Sequence, residues 1–236
     1  YMSELTAKIF ILCGGRGTRM HQSESKPKAL IDIGAGSILS HQLRHYAKHG
    51  FKHYVFCVGY KGEEIRRYVQ AEGFEGEFSD SGEAAGMLLR LYEARNLMSE
   101  PIVICYGDTY AQIDVQALLD QHEQSGLMAT MVTASIEHPF GLVEWDHEGR
   151  VESFREKPIL NHYIGFAVLS PKIFEIIPEE IIHMDDGDGL VKAFEILAQR
   201  KELGSYVFEG LQVTINKPED IENAQARIGS YYTANE

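Results

Sequence analysis

The sequence has 236 residues, 44% of them hydrophobic, which suits one α/β domain with a sizeable core. Its formal net charge of −13 argues against nucleic acid as a partner, because surfaces that bind nucleic acid are usually basic. No apolar run approaches a membrane span and no signal-peptide pattern opens the sequence, so no membrane partner is expected and a cytoplasmic location is.

The first apolar run, Ile9-Phe10-Ile11-Leu12-Cys13, reads as a buried strand and stops at Gly14-Gly15-Arg16-Gly17. Glycines there let the backbone take positive φ and bring successive N–H groups against a ligand without interference from Cβ, which makes a phosphate cradle. Arg16, Arg19, Lys26 and Lys28 put four cations in and just after this loop, a local exception on an acidic chain. Two familiar phosphate loops are excluded by spacing. No Gly-Lys-Ser/Thr closes a Walker A loop, and Met20 stands where a dinucleotide fingerprint needs its third glycine.

Further along, Ser37 caps a helix that carries Leu39, Leu43, Tyr46 and Ala47 on one face and ends at Gly50. A strand follows over 53–58, then a helix over 62–71 and a strand over 74–78. A helix over 84–97 precedes a strand over 101–106, and Asp114 begins a helix that Gly126 ends. This alternation predicts a largely parallel, doubly wound sheet. Such sheets bind ligands at the carboxyl ends of their strands. Gly14 and Asp108 both follow strands there, so two motifs far apart in sequence are expected to share one crevice. The cysteines, Cys13, Cys57 and Cys105, end or nearly end apolar strands, and an odd count so placed reads as reduced thiols serving as small hydrophobes.

The second half changes character, with strands expected over 128–136, 142–146, 150–154 and 163–169, and a last helix starting at Pro218. No Pro/Gly/Ser linker separates the halves, so residues 1–236 are read as one domain, with a first half over 1–126 and a β-rich lobe over 127–236 folded against it. His41, His45 and His49 recur at helical spacing and read as a solvated stripe rather than a metal site. Asp185-Asp186-Gly187-Asp188-Gly189 lacks the spaced glutamate of an EF-hand and reads as a loop with Asp188 near a helix N-terminus.

The string G-G-x-G-T-R followed by Lys26-Pro27-Lys28 resembles the sugar-1-phosphate nucleotidyltransferase family. Residues 29–34, 54–62, Tyr106-Gly107-Asp108 and Phe154-Arg155-Glu156-Lys157-Pro158 fall in that family's order. Within it, Gly59-Tyr60-Lys61-Gly62 and Asp80-Ser81-Gly82 look most like the glucose-1-phosphate cytidylyltransferases. The resemblance implies a Rossmann-like fold and in-line attack of a sugar-1-phosphate, or a similar phosphorylated acceptor, on the α-phosphorus of a nucleoside triphosphate. Pyrophosphate leaves and an activated nucleotide sugar forms. It favours cytidine as the base and leaves the other bases, and a homo-oligomer, open.

By the same resemblance the nucleotide would be held by Cys13, Gly14, Gly15, Gly17, Thr18 and Arg19, with Gly82 and Glu83 reading the base. Arg19 would neutralise the departing pyrophosphate, Lys28 would contact the α-phosphate in the transition state, and Asp108 would ligate Mg²⁺. Glu156, Lys157 and Gly165 would serve the acceptor, with Lys157 on its phosphate and Glu156 on its sugar. The family carries a second acidic metal ligand shortly before the last helix, where this sequence has Thr214 or Asn216, both neutral. Another acid such as Asp188 could substitute, Asp108 could act with the phosphates alone, or catalysis could be impaired. The last case keeps open a regulatory protein that binds nucleotide sugars without turning them over.

Overall fold

The computed structural model describes residues 7–16 and 26–234. In chain order the strands are β1 (Lys8–Leu12), β2 (Tyr54–Val58), β3 (Glu77–Asp80), β4 (Ile102–Tyr106), β5 (Thr109–Ala111) and β6 (Ala129–Glu137). They continue with β7 (Leu142–Trp145), β8 (Val151–Arg155), β9 (Ile159–Leu169), β10 (Leu203–Val207) and β11 (Gln212–Thr214). The helices are α1 (Ile38–Lys48), α2 (Gly62–Ala71), α3 (Met87–Glu93), α4 (Val115–Ser125), α5 (Glu179–Ile182), α6 (Asp188–Gln199) and α7 (Glu219–Ala234).

Among the described residues, seven strands make one mixed sheet in the order β10-β6-β9-β4-β1-β2-β3. β1, β2, β3 and β4 run parallel, as do β6 and β10, while β9 runs antiparallel to both β4 and β6. Apart from Lys8, which opens β1, the central strands β1, β2 and β4 are runs of apolar and aromatic residues because both faces are covered. On β1, Ile9 and Ile11 face one layer and Phe10 and Leu12 the other; Val103 and Cys105 of β4 alternate with Ile102 and Ile104 in the same way. Helices α1, α2 and α4 bury Leu39, Leu43, Ile65, Val69 and Leu118 on the first face. Helices α3, α5 and α6 bury Leu88, Leu91, Ile182, Leu190 and Leu197 on the second. The doubly wound α/β fold expected from the alternation is the fold observed.

Helix ends follow the sequence signals. The Ser37 hydroxyl accepts from the Ser40 N–H at 3.1 Å, the Asp114 carboxylate from the Ala117 N–H at 3.0 Å, and Gly126 closes α4 at φ +64°. Three expectations need correction. The strand expected over 74–78 starts later, at Glu77, because the Phe74 N–H donates to the Val69 carbonyl and closes α2. The helix expected over 84–97 starts at Met87, whose N–H donates to the Asp186 carbonyl at 2.6 Å, and tightens into a 3₁₀ turn over Ala94–Leu97. The β-rich second half does not fold as a lobe against the first: β6, β9 and β10 extend the same sheet, and the β7–β8 hairpin stands apart from it.

The histidine stripe is also corrected. His41 is buried and its Nε2 donates to the Gly34 carbonyl at 2.7 Å, while His45 Nε2 donates to the Ile113 carbonyl at 2.8 Å. Only His49 matches the solvated reading among these three. Asp188 is the first residue of α6, as expected.

Candidate active site

The crevice forms where β1, β2, β3 and β4 end. At the end of β1 the chain leaves the sheet through Cys13, Gly14 and Gly15; Gly14 is buried, and Gly15 and Arg16 are exposed. The Cys13 side chain packs in the core and burial pushes its thiol well above its ordinary pKa, which favours the protonated thiol and leaves its main chain to face a ligand. Gly17, Thr18 and Arg19 lie outside the described residues.

Asp108 arrives at the end of β4 through Gly107, whose N–H donates to the Leu12 carbonyl at 2.9 Å. A Cβ on Gly107 would stand 2.9 Å from Cys13 Cβ and 3.0 Å from the Leu12 oxygen, so glycine is required for the two strand ends to touch. The Asp108 carboxylate then meets Lys28, Oδ2 to Nζ at 3.2 Å. Lys28 is held by a 3₁₀ turn, Lys28–Leu30, entered through buried Pro27 and anchored by buried Ala29 and Leu30. The Lys28 and Asp108 side chains are 16% and 27% exposed, so the pair is partly buried and still reachable from solvent. Lys26 is exposed.

Sequence reading missed the groups that steady this turn. Buried Gln42 on α1 donates from Nε2 to the Tyr106 carbonyl at 2.8 Å and the Thr109 carbonyl at 2.6 Å, gripping the residues on either side of Gly107-Asp108. The available signal was a polar residue within the apolar Leu39/Leu43/Tyr46 face. The short strand β11 was missed as well. It pairs antiparallel with β5, setting Thr214 opposite Thr109. The two hydroxyls meet at 3.1 Å, and the Thr109 hydroxyl also donates to Asp108 Oδ1 at 3.3 Å. Thr214 is therefore one side chain removed from Asp108, whereas Asn216 donates its backbone N–H to Asp220 in the cap of α7. Asp188 begins α6, in the helix layer that packs on α3 and α5. Among the described residues, no group of three or more His, Cys, Asp or Glu side chains is placed to hold a metal ion.

On the other side, Gly82 at φ +75° donates its N–H to Asp80 Oδ1 at 2.8 Å, an Asx turn that projects Glu83. The Glu83 carboxylate pairs with the Arg16 guanidinium, linking this turn to the glycine loop. Gly165 lies in β9 at φ +83°, inside the register shift between β6 and β9, with the Tyr106 ring against it. That places it beside the end of β4. Glu156 and Lys157 are exposed in the β8–β9 turn, Lys157 at φ +39°. Among the described residues neither is joined to Asp108 or Lys28 by a hydrogen bond or ion pair. The structure thus brings together Gly14, Gly15, Arg16, Lys28, Gly82, Glu83, Asp108 and Gly165, and leaves Glu156 and Lys157 on a neighbouring turn.

A glycine loop, a lysine–carboxylate pair and an Asx turn thus meet at the carboxyl ends of parallel strands, where sheets of this kind bind their ligands. The nucleotidyl transferase family profile matches residues 8–227, and the chain belongs to that family. It is 29% identical over 236 residues to a probable glucose-1-phosphate cytidylyltransferase of Bacillus subtilis, covering 89% of this chain and 91% of the relative. A mannose-1-phosphate guanyltransferase of Debaryomyces hansenii is 28% identical over 229 residues, 90% of this chain and 62% of the longer relative. In three dimensions the chain resembles a putative glucose-1-phosphate thymidylyltransferase from Bacillus anthracis, crystallised with a sucrose, with TM-score 0.74 at 16% identity and 94% of each chain covered. At that identity the likeness speaks for the fold alone.

Proposed function

We propose that this chain transfers a nucleoside monophosphate from a nucleoside triphosphate to a sugar-1-phosphate or similar phosphorylated acceptor. A phosphate oxygen of the acceptor attacks the α-phosphorus, the bond from that phosphorus to the bridging oxygen breaks, and pyrophosphate leaves with the electron pair. The attacking oxygen is already anionic, so no general base is needed. The observation that carries the reading is the Lys28–Asp108 pair, 3.2 Å apart beside the Gly14-Gly15 turn. Phosphoryl-type transfer is positioning plus charge neutralisation, and this arrangement offers backbone donors, a cation and a carboxylate at one point.

Backbone N–H groups of the glycine loop would cradle the triphosphate, Arg19 would face the pyrophosphate, and Lys28 would follow the α-phosphate as charge shifts. Mg²⁺ fits the donor set with Asp108 as its one carboxylate, since this ion commonly takes one or two carboxylates together with phosphate oxygens and waters. When bound it would neutralise phosphate charge. Gly82 and Glu83 are assigned to the base, and Glu156, Lys157 and Gly165 to the acceptor. CTP is favoured through the Gly59-Tyr60-Lys61-Gly62 and Asp80-Ser81-Gly82 strings and the cytidylyltransferase relatives. A cytoplasmic location goes with soluble substrates of this kind.

Thr214, opposite Thr109 where the family resemblance expects a carboxylate, favours one second reading: a regulatory protein that binds nucleotide sugars without turnover. Five nucleoside triphosphates assayed against a panel of sugar-1-phosphates with Mg²⁺, scored by pyrophosphate release, separate the two. At least one pair is expected to release pyrophosphate and form the nucleotide sugar. Binding of nucleotide sugars with no pyrophosphate from any pair would replace the enzyme by the regulatory protein.

A further inference from the structure

We infer that Arg90 is a positioning residue of this crevice, whose buried guanidinium fixes the loops after β1, β2 and β3 in one frame and so sets the triphosphate and base-side contacts. The inference rests on the reading of the site given under Proposed function. Arg90 projects from α3 and is 3% exposed. Its Nη1 donates to the Val58 carbonyl, and its Nη2 donates to the carbonyls of Gly14 at 3.2 Å and Glu83 at 3.5 Å. Val58 ends β2, Gly14 follows β1 and Glu83 follows β3. One side chain therefore joins three consecutive loops on the rim.

Among the described residues no carboxylate forms an ion pair with Arg90, so a salt bridge is not what keeps the charge buried. Burying a cation costs several kcal/mol unless it is compensated, and here carbonyl dipoles supply the compensation. The sheet explains why they need it. The sheet loosens between the ends of β2 and β3, where the Ser81 N–H reaches the Val58 oxygen only at 3.4 Å, while the loops after β1 and β2 also meet through the Tyr60 N–H, which donates to the Gly14 carbonyl at 3.0 Å. A planar guanidinium spreads its N–H groups over separate, rigidly spaced nitrogens and so reaches acceptors set apart on three loops, whereas an ammonium has all its donors on one atom. The peptide plane transmits the result, because fixing the Gly14 and Glu83 carbonyls on Arg90 turns the N–H groups of Gly15 and Ala84 away from it. Gly15 is exposed, which leaves its N–H open to a phosphate in the proposed site. Glycines make room for the device: a Cβ on Gly14 or Gly59 would overlap the guanidinium. Glu83, held through its carbonyl, pairs through its carboxylate with Arg16.

Arg90→Lys keeps charge and stem but loses the fork, and Arg90→Met keeps volume alone. Both are compared with wild type by thermal melting, by amide exchange over residues 14–16, 58–61 and 81–84, and by kinetics with the best triphosphate and acceptor. Arg90→Lys is expected to exchange faster in all three segments while β1 and β4 stay protected, and to raise the KM for the triphosphate about tenfold with the acceptor KM little changed. Arg90→Met should be worse in the same direction; if it does not fold, Arg90→Lys still decides. Unchanged exchange in the three segments, or a uniform loosening of the sheet with equal effects on both substrates, would overturn the inference. Should wild type prove inactive, the proposed function fails instead, and exchange with the nucleotide-binding constant of Arg90→Lys still judges Arg90.

Discussion

Lys28 and Asp108 define each other's surroundings at 3.2 Å, and their proposed roles differ in what substitution should do. Lys28 is assigned to charge that shifts only in the transition state, so Lys28→Ala should lower kcat by about 100-fold with little change in the KM for the triphosphate. A large KM effect with kcat preserved would move Lys28 to ground-state binding. Lys157 stands apart on its exposed turn, and Lys157→Ala should chiefly raise the KM for the phosphorylated acceptor; equal effects on both substrates would reject that division. Thr214 offers a third test. Its hydroxyl reaches the Thr109 hydroxyl at 3.1 Å, which in turn reaches Asp108, so Thr214→Asp should bring a second carboxylate to the metal. Mg²⁺ titrations are expected to show weak binding by wild type without nucleotide, tighter binding with it, and a further gain in Thr214→Asp. Tight binding by wild type alone would mean that another acid, Asp188 first, fills the role.

At the scale of elements, α1 does two jobs, carrying Gln42 to the Asp108 turn and burying His41 against the Gly34 loop. Burial lowers the pKa of His41, and likewise those of His45 and His122, from the ordinary 6.5. The unfolded chain then binds protons that the folded chain refuses, so stability is full above about pH 6.5 and falls as pH drops through that value toward the lowered folded pKa values. Melting temperatures measured at pH 7.5 and 5.5 should show a loss on acidification that is smaller in His41→Gln than in wild type. An identical loss in both proteins would mean that His41 titrates no differently folded and unfolded. How much of each element the sequence disclosed follows from physics. The β1 and β4 strings are continuous apolar runs bounded by glycine, and caps at Ser37 and Asp114 marked helix starts. The start of β3 was misread because Phe74, apolar enough for a strand, finishes α2 instead. Arg90 was hidden because an arginine in a helix reads as surface, and only the meeting of three strand ends makes its burial tolerable.

Across the whole molecule, strand order makes the site. β1 lies between β2 and β4, so the chain reverses its direction of winding there, and the crevice opens at that switch point. The loop at 14–16 and the carboxylate at 108 were legible as partners from this rule alone, while the extension of the sheet by β6, β9 and β10 was not, because strands of mixed burial carry no mark of which sheet they join. Among the described residues no helix is long and apolar enough to cross a membrane. The central proposal is that this crevice performs nucleotidyl transfer. The most direct test follows label from the α-phosphate of a nucleoside triphosphate into a nucleotide sugar, in the presence of Mg²⁺ and the best acceptor, for wild type and Asp108→Asn. Wild type should transfer the label with one pyrophosphate released per product, and Asp108→Asn should be slower by about 100-fold or more while remaining folded. Label transfer by Asp108→Asn at the wild-type rate would contradict the account, because the chemistry would then lie elsewhere.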